Sequence, residues 1–117
     1  MNHHPAPVTV DNPVNLLSTE SRFQGILELS DYSHFNGQIT GTIRGLPGST
    51  FVLGEQGVVE GTIDGDVVVI DGYVRGEIRA STKVIISETG RVIGKISAKN
   101  FSIIYGGFFD GECATQI

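Results

Sequence analysis

A single-domain, all-β parallel solenoid of about six rungs behind a flexible N-terminal tail is the fold this chain predicts. Three observations predict it. A five-residue motif, apolar-x-Gly-x-apolar, recurs six times after residue 22; the apolar positions of successive copies align into columns; and the composition is glycine-rich and charge-poor, with 16 Gly and 18% charged residues. At 117 residues and 12.5 kDa there is room for one domain. Period-2 alternation, β-branched residues and glycine stops every few positions read as very short strands, which excludes helices from the body.

Taken from the N-terminus, residues 1–17 carry three of the four prolines and the adjacent His3 and His4, and match no repeat. They are expected to be a flexible tail, with the β-helical domain over 18–117. Val14, Leu16 and Leu17 form a short apolar group in the tail, read as a clip over the first rung or as a membrane contact. The rung glycines follow at Gly25, Gly41, Gly61, Gly76, Gly94 and Gly111, at intervals of 16, 20, 15, 18 and 17 residues. Because each shares its strand face with two apolar neighbours, it is expected to point into a narrow core, and Gly76→Val to be strongly destabilising.

Between the motifs lies a second apolar block, and a turn glycine follows it at Gly37, Gly57, Gly72, Gly90 and Gly107, where a bend with positive φ is expected. Four inward columns result. They are Phe23, Ile39, Val59, Val74, Val92, Phe109; then Leu27, Ile43, Ile63, Ile78, Ile96, Cys113; then Tyr32, Phe51, Val67, Val84, Phe101; and last His34, Leu53, Val69, Ile86, Ile103, with one polar exception. Successive rungs of a parallel coil stack about 4.8 Å apart, so such columns become physical ladders. Outward positions agree: Glu28, Arg44, Asp64 and Arg79 alternate in sign, Glu60 precedes Arg75, and Glu77, Lys95 and Glu112 alternate. Antiparallel hairpins give no reason for this register.

A solenoid exposes core and backbone at both ends unless it is capped. Six residues after Gly111 leave little for a C-terminal cap, and the last rung offers Phe101, Ile103, Phe108 and Phe109. With Phe23 and Leu27 at the opposite end, these are the expected polymer interface, through which molecules stack end to end.

The rungs VVEGTIDGDVVVIDGYVRGEI and VIISETGRVIGKI and the closing FFDGEC resemble the bactofilins, bacterial polymer-forming cytoskeletal proteins, over residues 18–113. The resemblance implies a right-handed parallel β-helix that polymerises without nucleotide. It also implies a cytoplasmic filament, at the inner face of the cytoplasmic membrane in many members, tied to cell shape, envelope organisation or envelope partner proteins. An aromatic in the C-terminal rung supports the polymer contact in that family, and Phe108 and Phe109 match it. Unlike members with an apolar membrane-targeting start, this chain begins Met1-Asn2-His3-His4.

Other chemistries fit less well. Net charge is −5 with scattered basic residues, which disfavours nucleic acid. One cysteine forms no internal disulfide, and a reducing cytoplasm is the expected compartment. The longest apolar run in the body, Val67-Val68-Val69-Ile70, is far short of the ~20 residues of a membrane-spanning helix. A hexapeptide-type left-handed acyltransferase predicts constant 18-residue coils and several histidines, yet the body holds only His34, expected at a half-buried or rim position. Adjacent His3 and His4 form no closed metal site. The Gly90 to Lys95 segment lacks the hydroxyl residue of a phosphate loop and reads as a rung. Cys113 is expected to be a buried structural thiol, and Asp64, Asp66, Asp110 and Glu112 solvated faces. No catalysis, cofactor or metal is expected, and a non-polymerising β-helical binding module is the main alternative.

Overall fold

The computed structural model describes residues 8–10 and 22–115. Among these residues nine strands appear in order: β1 Val8–Val10, β2 Arg22–Leu29, β3 Tyr32–Phe35, β4 Gln38–Gly45, β5 Thr50–Leu53, β6 Val58–Ile70, β7 Tyr73–Ile86, β8 Arg91–Ile103 and β9 Phe108–Thr115. All pairings among the described residues are parallel, and β1 followed by the motif strands stacks as β1-β2-β4-β6-β7-β8-β9. The chain is therefore a parallel β-solenoid of about five turns, with no helix among the described residues.

The motif columns stack as expected: Phe23 on Ile39, Ile39 on Val59, and so on to Val92 on Phe109, with the Leu27 to Cys113 column in the same register. Ile43, Ile63, Ile78 and Ile96 are fully buried. Each such side chain contributes about 1.5–3 kcal/mol relative to exposure. Outward charges also stack as expected, with Glu28 opposite Arg44, Arg44 opposite Asp64, and Asp64 opposite Arg79. Arg44 and Glu28 pair at 3.8 Å.

On the second face the register differs from expectation by one residue in two rungs. Ser33 pairs with Phe51 and Val68 with Val84, while Phe35, Leu53, Ile70, Ile86 and Ile103 form the other inward column. Tyr32, His34, Val67 and Val69 stand outward instead, since a slip of one residue moves a whole strand to its opposite face. The polar exception moves with it: Phe35 is fully buried and meets Phe51 edge-on at 5.4 Å, and the fully buried Ser33 becomes the polar member of the other inward column.

Glycine roles are exchanged relative to expectation. The rung glycines, not the turn glycines, hold positive φ, from 131° at Gly25 to 145° at Gly111. A Cβ on Gly76 would not enter the core; it would run along the stack into the carbonyl oxygen of Gly61. The ladder of glycines thus marks where strand backbones approach across rungs. At the turn glycines the constraint is crowding alone: a Cβ at Gly72 would strike the Gly54 and Gly57 carbonyls, and at Gly90 that of Ile70.

Variable rung length is absorbed at the corners. Short rungs turn through two residues, Asn36-Gly37 or Asp71-Gly72, and longer ones through four, closed by N–H to carbonyl bonds from Gly57 to Gly54, Gly90 to Ser87 and Gly107 to Ile104 at 2.8–2.9 Å. The longest rung adds the turn Leu46-Pro47-Gly48-Ser49, whose Ser49 N–H reaches the Leu46 carbonyl at 3.0 Å and whose Gly48 has φ 85°. Asp66 clamps the same corner, accepting from the Gly48 N–H and the Ser81 hydroxyl, so one carboxylate ties three rungs.

Within the segment expected to be a flexible tail, Val8–Val10 instead form β1, laid parallel on β2 with Val8 opposite Leu27 and Val10 opposite Leu29. The Val-Thr-Val alternation suits a strand edge that would otherwise lack a partner there. Val14, Leu16 and Leu17 lie outside the described residues.

Candidate functional site

The two ends of the coil are unequal. At the N-terminal end Leu27 is 2% exposed, Leu29 1% and Phe35 0%, and β1 occupies the outer edge of β2 over Leu27–Leu29. Leu27, expected at the polymer interface, is therefore covered in this structure, with β1 laid along its strand edge. Phe23, beyond the reach of β1, is half-buried against the core. The C-terminal end is open. No residue after Ala98 is buried among those described, and Ile103 and Phe108 are 46% and 50% exposed.

Local sequence explains how this end is built. The turn Ile104-Tyr105-Gly106-Gly107, with Gly106 at φ 100°, projects Tyr105 into solvent. Beyond it β9 places Phe108 outward above Arg91 and Phe109 inward above Val92. Phe109 closes against Phe101 from the other face, ring centroids 5.4 Å apart. Phe101 and Phe109 are thus the last members of two core columns, with Ile103 ending a third, and Phe108 belongs to the outer wall. Nothing among the described residues pairs with the outer edge of β9.

Cys113 falls in its expected column, opposite Ile96, but is exposed rather than buried, because no rung among the described residues stacks beyond it. Partial desolvation against the rung beneath pushes its thiol pKa up. The surface around it joins apolar ends to strand-edge N–H and C=O groups, with Asp110 and Glu112 at the rim. Such a surface has the chemistry to pair with another strand edge that carries apolar residues at alternate positions. The exposed Ile104 and Tyr105 extend it and were missed in the sequence, although Gly106-Gly107 marks the tight turn that projects them.

Elsewhere the side chains serve the coil. His34 stands on the outer wall, half-buried. Arg79 pairs with Glu77 at 3.1 Å on one strand face. No group of three or more potential metal ligands occurs among the described residues, and no helix among them is long and apolar enough to cross a membrane.

These features define a class: parallel solenoids that expose the core and strand edge of a terminal rung. The chain belongs to the bactofilin family, whose model, described as polymer-forming cytoskeletal, matches residues 15–114. It is similar to Bactofilin BacO of Myxococcus xanthus (strain DK1622), 42% identical over 77 residues, which are 63% of this chain and 60% of that protein. The chain thus spans about 60% of the length of that relative. No solved structure matches.

Proposed function

We propose that this chain polymerises end to end, without nucleotide or metal, into filaments that organise cell shape or the cell envelope, and that it has no catalytic activity. The observation that carries the reading is the open C-terminal rung, where Phe101, Ile103 and Phe109 end core columns beside the free edge of β9. Stacking a second molecule there removes apolar surface from water and satisfies the edge N–H and C=O groups in one step. A contact of this kind, repeated at both ends, builds an open filament. The filament is cytoplasmic on this reading, and envelope proteins at the inner face of the membrane are its partners.

Electron microscopy of the purified chain in nucleotide-free, chelator-containing buffer tests it, beside a Phe108→Arg/Phe109→Arg variant whose circular dichroism remains β-rich. Filaments from the parent, with only small species from the folded variant, are expected. Monodisperse parent at all concentrations and salt conditions would contradict polymerisation and favour a β-helical module that docks on other proteins.

A further inference from the structure

The N-terminal edge is occupied in a way that bears on assembly. Strand β1 copies a rung: it runs parallel to β2 in solenoid register, with Val8 opposite Leu27, Thr9 opposite Glu28 and Val10 opposite Leu29. It is also incomplete. Where β4 meets β2 through eight register pairs, β1 supplies three, leaving the Arg22 to Ile26 stretch of that edge without a strand partner among the described residues. A three-residue strand is short by the standard of stable pairings, so it is suited to exchange.

We propose that β1 is a built-in competitor for the N-terminal assembly surface: it holds the Leu27–Leu29 edge in cis, and a second copy of the chain must displace it to dock there. The inference rests on the end-to-end reading above and adds regulation to it. The incoming occupant is another copy because the edge asks for alternating apolar residues in solenoid register, which every motif strand of this chain carries. The longer ladder from such a strand covers the part β1 leaves open, which gives the second copy its advantage. The contrast between ends fits a device placed at one of them. Leu27 and Leu29 are 2% and 1% exposed, whereas Cys113 in the Leu27 column at the other end is exposed.

Quantitative pelleting of the full chain, of a variant lacking residues 2–11 and of the full-length Thr9→Pro variant tests this. Proline breaks strand pairing without shortening the chain. Both variants are expected to pellet at a critical concentration lower by about tenfold, as a seat filled in cis about nine-tenths of the time requires. Equal or higher critical concentrations in both variants, with the parent polymerising, would overturn the competitor role and leave end-to-end assembly standing. Failure of all three proteins to pellet at any concentration would overturn the assembly reading, and the competitor role with it.

Discussion

A methyl group added at Gly76 would land on the carbonyl oxygen of Gly61, and the backbone there has φ 142°, a region that L side chains rarely adopt. Two penalties coincide, so Gly76→Ala is expected to cost about 3–5 kcal/mol, read as a large fall in urea midpoint. Gly48→Ala is the control. It has φ 85° but nothing within 4 Å of its added carbon, and about 1 kcal/mol is expected. Equal midpoints for the two variants would contradict the close approach of rungs along the glycine ladder. At the far end, the raised pKa of the Cys113 thiol leaves less thiolate at neutral pH. Iodoacetamide should modify the monomer there more slowly at pH 7 than it does a free cysteine, and the rate should rise as pH is raised. A rate at pH 7 matching free cysteine would argue against desolvation of the thiol.

Strands and corners divide the work of holding the coil. Phe35 ends an inward column and is fully buried, whereas Tyr32, three residues earlier on the same strand, is 47% exposed. Phe35→Ala should therefore cost about 3–5 kcal/mol and Tyr32→Ala under about 1 kcal/mol; the reverse order in thermal melts would restore the other register. The Asp66 clamp is a corner device, and Asp66→Ala should lower stability by about 1–2 kcal/mol through loss of its bonds to Gly48 and Ser81. An unchanged melting temperature would mean the corner is held by its turns alone. The motif strands were legible in the sequence because Gly25 to Gly111 fix their register from rung to rung. The second-face strands were not. Val67-Val68-Val69-Ile70 is apolar on both faces, so alternation cannot say which residues point inward, and turns of two or four residues shift the count between rungs. Nor could the sequence distinguish a glycine required by φ from one required by crowding, since both look alike until neighbouring rungs are in place. The aromatic C-terminal end was legible as an open surface, whereas the strand in Val8–Val10 was hidden among prolines and carries no glycine of the motif.

Across the whole molecule the decisive property is the inequality of the ends. A coil of stacked parallel strands has no internal stop: each rung offers the next the same edge, and growth ends only where the edge is covered. Here β1 covers part of one end and nothing described covers the other. The proposed end-to-end growth rests on that geometry. It makes the filament axis the stacking axis of the strands, so a direct measurement is X-ray fibre diffraction from aligned filaments of the full chain. The inter-strand spacing of about 4.8 Å should appear as a reflection on the meridian, along the filament axis. The same reflection on the equator, showing strands that run along the filament and molecules joined side by side, would contradict the account.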